Sequence, residues 1–246
     1  MSRTLIIFAC ALACAVGAPP CAAEVPAKVL DLSCWKLTLP VDTDHPGRPD
    51  EIIHPELNVF ADPERFFVHD ASDGVVFRAA CGGAATKGSK YPRCELREMT
   101  SHGETEAAWG TDDGSTHTMT LALAITKTPA VKKHVVCAQI HDARDDVMMV
   151  RLEGKTLFIE RNKVGDVDLD SDYALETPFD LKIQAGDGRI RVWYDDALKM
   201  DWQASRAGCY FKAGCYTQSN PDKGDAPDSC GEVVIRRLQI DHRKQP

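Results

Sequence analysis

The 246-residue sequence lacks the features of several large protein classes. No two cysteines stand in a Cys-x-x-Cys arrangement, which argues against a zinc ribbon and a thioredoxin-type redox site. Basic residues are not in excess, because 29 lysines and arginines face 37 aspartates and glutamates, for a formal net charge of -8. A general nucleic-acid binder needs a basic face, so this balance argues against nucleic acid as a partner.

The chain also lacks helical heptads, internal repeats and any apolar run long enough to cross a membrane as a helix. Residues 5–16 form an apolar run of about a dozen residues behind a short basic start, and small residues follow. This pattern is typical of a secretory signal peptide. We therefore expect a signal peptide over residues 1–23, cleaved after Ala18 or Ala23, and one secreted, extracellular domain over residues 24–246 that does not associate with a membrane.

Short strand-like runs, rich in Val, Ile, Thr and aromatic residues and bounded by Gly, Pro or Asp, fill the rest of the chain. Many short antiparallel strands predict an all-β, single-domain sandwich or jelly roll. A short helix is expected near residues 55–61. The predicted strands cover residues 33–39, 74–80, 93–99, 116–126, 135–141, 147–152, 156–160, 179–185, 189–194, 210–217 and 232–241.

Three of these strands carry an unusual selection of polar side chains on one face. Side chains alternate between the two faces of a strand, so residues of equal parity lie together. A solvated outer face also alternates, but it does not require this choice of residue types. The polar faces carry Arg93, Glu95 and Arg97 in the first strand, Gln139 and His141 in the second, and Lys212, Tyr216 and Gln218 in the third.

These residue types suit an acidic sugar polymer. Arg93 can pair with a uronate carboxylate, and Gln139 can donate a hydrogen bond to the same group. Neutralising that carboxylate acidifies the proton on the adjacent carbon, and His141 and Tyr216 can then move protons. Glu95 stands between two arginines and is expected to orient them. A glycosidase, which needs two carboxyl groups free to act on the substrate, is therefore disfavoured.

The same segments resemble the three signatures of the alginate lyases of polysaccharide lyase family 7. They read Arg-Cys-Glu-Leu-Arg at 93–97, Gln-Ile-His at 139–141 and Tyr-Phe-Lys-Ala-Gly-Cys-Tyr-Thr-Gln at 210–218. The opening strand at 31–40 also resembles the family, and the likeness covers about residues 29–241. The resemblance implies a β-jelly roll with a concave sheet that binds alginate, acting as a monomer without a metal or other cofactor.

The resemblance also implies β-elimination. The C5 proton is removed, the 4-O-glycosidic bond breaks, and an unsaturated uronate forms at the new non-reducing end. Tyr216 would be the proton donor, and for mannuronate also the base, whereas His141 would be the base for guluronate. Ile140 in the second signature favours guluronate-containing blocks. The implied catalytic residues are Arg93, Gln139, His141 and Tyr216, and the implied substrate-binding residues are Glu95, Arg97, Lys212 and Gln218.

Two alternatives stay open at this point. One is a non-catalytic carbohydrate-binding jelly roll that keeps the groove, and the other is a lyase of another polyuronate such as polyglucuronate. Tyr216 argues against the first, because a binding module has no need of a phenol beside a histidine.

At most eight of the ten cysteines remain after cleavage of the signal peptide, and they agree with secretion, because an oxidising compartment favours disulfides. Cys81 and Cys94 flank a glycine-rich loop that a disulfide would close. Cys209 and Cys215 are about 20 Å apart along an extended strand, at roughly 3.3 Å per residue, so they are not expected to pair. The family fold suggests neighbouring first and last strands, which makes Cys34–Cys230 a further candidate pair. Cys137 is expected on the face of Gln139 and His141, as a buried free thiol.

Overall fold

A computed structural model describes residues 24–43, 46–71 and 73–244, so the predicted signal peptide lies outside the described residues. No helix within the described ranges is long and apolar enough to cross a membrane. The strands are β1 (Trp35–Thr38), β2 (Glu51–Ile52), β3 (Phe66–Val68), β4 (Val75–Ala80), β5 (Arg93–Glu98), β6 (Ser115–Lys127), β7 (His134–His141), β8 (Asp146–Glu153), β9 (Thr156–Glu160), β10 (Val167–Asp170), β11 (Phe179–Gly186), β12 (Arg189–Tyr194), β13 (Ala197–Gln203), β14 (Tyr210–Thr217) and β15 (Cys230–Lys244).

Two antiparallel sheets enclose the core, which confirms the predicted all-β jelly-roll sandwich. One sheet has eight strands in the order β10-β9-β8-β7-β14-β5-β1-β2, and the other has seven in the order β13-β12-β11-β6-β15-β4-β3. The helical segments are single 3-10 turns, Pro26–Lys28, Glu56–Asn58, Ser101–Gly103 and Pro221–Lys223.

Alternation along the strands builds the core between the sheets. In the seven-stranded sheet Leu181 of β11 pairs with Leu121 of β6, and Ile183 pairs with Met119, and all four side chains are buried. Burying each such side chain contributes about 1.5–3 kcal/mol. The intervening residues of β11 face outward. The same alternation in the eight-stranded sheet leaves its other face free for polar side chains.

β-bulges change the side-chain direction in the centre of the eight-stranded sheet. The register of β14 against β7 shifts between Ala213 and Tyr216, and the register of β7 against β8 shifts between Val136 and Ala138. The second bulge turns Cys137 into the core, where it is fully buried. Its expected place on the face of Gln139 and His141 is therefore wrong, since one extra residue reverses the alternation, whereas its expectation as a buried free thiol agrees with the structure.

All seven cysteines of the described ranges are free thiols in this structure, so neither candidate disulfide is formed. Cys94 lies opposite Cys215 on β14, and its Sγ donates to the Arg65 carbonyl oxygen instead of facing Cys81. The first and last strands are not neighbours. β1 lies between β5 and β2 in one sheet and β15 between β6 and β4 in the other, which separates Cys34 from the start of β15.

Candidate active site

An open groove of about 650 Å³ crosses the outer face of the eight-stranded sheet, over strands β1, β5, β14 and β7. A larger depression of about 1070 Å³ lies on the seven-stranded sheet, but none of the motif side chains lines it. The residues that line the first groove include Lys36, Thr38, Ser89, Arg93, Arg97, Glu106, Gln139, His141, Arg144, Asp146, Met149, Tyr210, Lys212, Tyr216 and Gln218.

Strand pairing brings the three motif segments together. Lys212 of β14 pairs with Gln139 on one side and with Arg97 on the other, and Arg97 pairs in turn with Lys36. Tyr216 lies opposite Arg93. Residues that are far apart in the sequence thus form neighbouring rows on one face, and the groove collects seven of the eight predicted site residues.

Glu95 is the eighth, and it lies beneath the groove instead of lining it. It is 1% exposed, and its carboxylate accepts from the Arg93 guanidinium at 3.0 Å, from the Lys212 ammonium, and from the Gln139 amide. Its expected role as an orienting group is thus supported, but its oxygens are already occupied and it is not placed to bind substrate. It orients only one of the two arginines, with Lys212 in place of the second.

Arg97 points away from Glu95 toward the rim of the groove. Its guanidinium lies 3.8 Å from the Tyr210 ring centroid, donates to the Glu98 carbonyl oxygen at 2.9 Å, and forms an ion pair with Glu106 at 3.1 Å. Glu106 is largely exposed and also pairs with Lys36. Glu106 is the exposed member of this rim pair, so an anionic ligand in the groove can replace its carboxylate beside Arg97.

The charges beneath the groove are strongly coupled. Burial disfavours the ionised form of Glu95, but the charges of Lys212 and Arg93 outweigh it and hold the pKa of that carboxyl below its usual value. Burial lowers the pKa of Lys212 to about 8, against the opposing effect of Glu95. At neutral pH both groups are therefore charged, and the groove keeps a net positive centre.

The two ring nitrogens of His141 have different roles. Its Nδ1 lies 2.6 Å from the Asp142 carbonyl oxygen, which can only accept, so Nδ1 carries the proton of the neutral ring. The Tyr210 hydroxyl lies 3.1 Å from the same nitrogen. Nε2 then carries the lone pair. Burial, together with the positive charges of Lys212 and Arg93, lowers the pKa of His141, so the ring is a neutral base near pH 7.

Tyr216 lies on β14, opposite Arg93 of β5. The Arg93 guanidinium carbon sits 3.9 Å from the centre of its ring, and the Ser89 hydroxyl lies 2.9 Å from its own hydroxyl. The phenol is 9% exposed and lines the groove. A phenol held between a cation and a hydroxyl is positioned to give or take a proton.

Two polar atoms in the groove are buried and unsatisfied. Within the described residues, neither Arg93 Nε nor Gln218 Oε1 has a hydrogen-bond partner. Buried polar groups without partners are rare in folded proteins. Both atoms belong to residues that line the groove, so a ligand bound there would lie against these two side chains.

The sequence reasoning missed several residues of the groove, above all Lys36, Ser89 and Tyr210. Lys36 alternates with the buried Trp35 and Leu37, and Tyr210 has the same parity as Lys212. Strand alternation could therefore have placed both residues on the face of the groove. Ser89 comes from a loop that predicts no direction for its side chain.

A sequence model of the family described as alginate lyase matches residues 30–242. This chain belongs to the alginate lyases of polysaccharide lyase family 7. The matched range contains all three signatures and the whole groove, so the resemblance stated from those motifs is confirmed.

Solved structures agree with this assignment to the polysaccharide lyases. The family 7 alginate lyase AlgAT5 is 50% identical, with a TM-score of 0.86, over 89% of this chain and 99% of that one. The alginate lyase from Corynebacterium sp. is 43% identical, with a TM-score of 0.84, over the same shares of the two chains. A curated alginate lyase from Klebsiella pneumoniae is 39% identical over 88 residues, which are 35% of this lyase and only 29% of that protein.

Proposed function

We propose that this protein depolymerises alginate by β-elimination. The observation that carries the proposal is the groove itself, in which a buried arginine, a neutral histidine and a phenol lie on one sheet face. The solved relatives at 50% and 43% identity are named alginate lyases, which supports alginate as the polymer.

The first step acidifies the C5 proton of a bound uronate. Arg93 and Gln139 neutralise the carboxylate attached to C5, so the electron pair left by the departing proton spreads into it. Glu95 keeps both side chains in place, because its carboxylate accepts a hydrogen bond from each of them. Lys212, which also lines the groove, supplies further positive charge.

The second step moves two protons. His141 Nε2 takes the C5 proton, the C4–O4 bond breaks, and Tyr216 gives its phenolic proton to the departing O4. The product is an unsaturated uronate at the new non-reducing end. Mannuronate and guluronate are C5 epimers, so their C5 protons lie on opposite faces of the ring. His141 serves guluronate in this scheme, whereas mannuronate requires Tyr216 to act as base as well.

We propose a preference for guluronate-containing blocks. Its support is the isoleucine of the Gln-Ile-His signature together with the neutral His141. Ile140 is buried in the core, so it acts through the position of its neighbours and not by touching the polymer. Comparing initial rates on polyguluronate, polymannuronate and polyglucuronate tests both the block preference and the choice of polyuronate, and a fastest rate on either of the other two polymers contradicts this preference.

We further propose that the protein acts outside the cell, because the first 23 residues have the pattern of a signal peptide. We also propose that it acts as a monomer, as the family resemblance implies. The mass of the secreted protein would locate the cut after Ala18 or Ala23, and light scattering would give its oligomeric state.

Changing Tyr216 to Phe tests the reaction. The variant keeps the ring that Arg93 covers but loses the proton donor, so turnover should fall by at least about 100-fold, the lower end of general acid catalysis. Ultraviolet absorbance of the new conjugated double bond measures turnover, and calorimetry with oligoalginate measures binding. A variant that retains most of the rate contradicts the assignment of the acid. A wild-type protein that binds without forming product is a carbohydrate-binding module.

A further inference from the structure

The Ser89 side chain touches the proposed proton donor and has no role in the mechanism above. Ser89 belongs to the glycine- and serine-rich loop 82–91, and its Oγ lies 2.9 Å from the Tyr216 hydroxyl oxygen. The loop is tied to the fold on both sides of this contact. The Ala84 amide donates to the Pro40 carbonyl oxygen, and the Asn220 side chain donates to the Lys90 carbonyl oxygen. Ser89 is therefore held at Tyr216 by its backbone.

The hydrogen bonds around Ser89 limit where its proton can point. A serine hydroxyl has one proton to donate and two lone pairs. One lone pair accepts the Tyr91 amide at 3.0 Å. The proton has two possible acceptors, the Tyr91 carbonyl oxygen at 3.3 Å and the Tyr216 oxygen at 2.9 Å. The longer bond is the weaker one.

We propose that Ser89 is a positioning residue that stabilises Tyr216 in its deprotonated form, an inference that rests on the proposed elimination. Before reaction Tyr216 carries its proton. During elimination the C5–H bond breaks toward His141, the electron pair forms the C4–C5 double bond, the C4–O4 bond breaks, and the O–H bond of Tyr216 breaks toward O4. The Ser89 hydroxyl then donates to the phenolate oxygen. Water afterwards takes the proton from His141 and returns one to Tyr216, so no proton is gained or lost over the cycle.

The contact with Ser89 helps Tyr216 to act as an acid. A hydrogen bond donated to the charged form of a group favours that form. A phenol whose phenolate is stabilised gives up its proton more readily to a poor leaving group. The Arg93 guanidinium over the ring acts in the same direction, and Ser89 acts on the oxygen itself.

The test compares Ser89→Ala with Ser89→Thr, which keeps the hydroxyl. For Ser89→Ala we expect kcat to fall about tenfold, because a charge-assisted bond is lost in the transition state, while KM changes by less than about twofold. Ser89→Thr should keep most of the rate. Thermal melting should be the same for all three proteins, since the loop backbone carries its own hydrogen bonds.

A second measurement does not depend on turnover. The tyrosinate absorbance of each protein is followed against pH, and the signal of Tyr216 is obtained by subtracting the Tyr216→Phe variant. In Ser89→Ala this signal should appear at higher pH than in wild type. An unchanged signal and an unchanged kcat overturn the role of Ser89, as does Ser89→Thr being as slow as Ser89→Ala with no spectral change. A wild type that forms no product while the spectral shift is present overturns the proposed elimination and leaves the Ser89 contact established.

Discussion

At the scale of single residues, one buried carboxylate organises the groove. Glu95 holds Arg93, Lys212 and Gln139 through its two oxygens, and it is reached by solvent at only 1% of its surface. Removing one partner of a buried charge pair costs about 3–5 kcal/mol, because the remaining charge loses its compensation. The position of Arg93 therefore depends on Glu95 as much as on the backbone of β5.

Strand parity predicted which residues share a face of the sheet. It does not predict which of these side chains lines the groove and which is buried beneath it. Arg93, Glu95 and Arg97 do lie on one face of β5. Their different roles follow from their contacts across neighbouring strands. The Glu95 carboxylate is enclosed by Lys212 and Gln139 from the next two strands, whereas Arg97 pairs with a carboxylate at the rim of the groove. Only the assembled sheet brings these side chains together.

The pH dependence of the reaction follows from His141. The base must be neutral, and burial together with nearby cations places the pKa of His141 below its usual value of 6.5. The rate of polyguluronate cleavage should therefore rise with pH and reach half its plateau below pH 6.5. A profile of kcat/KM from initial absorbance rates measures this.

A second group in the groove titrates in the same range and provides the control. Burial, with the neighbouring Asp145, raises the pKa of Asp146 to about 6. If His141 causes the rise of kcat/KM with pH, Asp146→Asn should keep this rise, the acidic limb of the profile, unchanged. A limb that disappears in this variant, or one centred above pH 6.5, contradicts the assignment of His141 as the base.

At the scale of elements, strand prediction failed only at the sheet edges. The eleven predicted strands all coincide with observed ones, and the four that were missed are β2, β10, β3 and β13. These are the two edge strands of each sheet. An edge strand is paired on one side only and buries less of its surface, so its sequence alternates weakly. β13, for example, buries one of its seven residues.

The bulge in β14 provides a test at this scale. Gly214 has a φ of 140°, which side-chain-bearing residues rarely adopt, and a Cβ there would lie 2.6 Å from the Cys94 carbonyl oxygen. Gly214→Ala therefore adds backbone strain and overpacking, about 3 kcal/mol together. For a domain of this size the melting temperature should fall by about 6–12 °C.

Gly154→Ala is the matched control for this variant. Gly154 also has a positive φ, of 61°, but nothing lies within 4 Å of the added Cβ. It should cost only about 1–2 kcal/mol, the strain of a left-handed residue. Equal losses of melting temperature in the two variants would mean that the close approach of β14 to β5 does not constrain position 214.

At the scale of the whole molecule, an acidic protein is expected to bind an acidic polymer. The formal charge is -8, yet the centre of the groove holds Lys36, Arg93, Arg97 and Lys212, and its carboxylates lie beneath it or at the rim. Net charge and local charge act over different distances. The sequence predicted this local concentration of cations, because the motif residues share one face, and composition alone did not.

The salt dependence of the rate distinguishes the effect of the net charge from that of the local charge in the groove. The Debye length is about 30 Å at 0.01 M salt, about 10 Å at 0.1 M and about 3 Å at 1 M. Long-range repulsion between the protein and the polymer should therefore be screened first, and the direct contacts in the groove only later. We expect kcat/KM on alginate to rise severalfold between about 0.01 and 0.1 M potassium chloride and to fall between about 0.1 and 1 M, with kcat nearly constant.

A variant of the rim ion pair tests whether the cations of the groove cause the fall of kcat/KM at high salt. Arg97→Gln removes one cation of the groove, which is paired with the exposed Glu106, so KM should rise. The further increase of KM between about 0.1 and 1 M salt should become smaller than in wild type. Lys155→Gln, on the β8–β9 turn, is the control because it removes one cation far from the groove. It should change neither KM nor the salt dependence of KM. If kcat/KM falls steadily from the lowest salt concentration onward, the net charge does not slow the encounter, and the local cations alone govern how the polymer reaches the sheet.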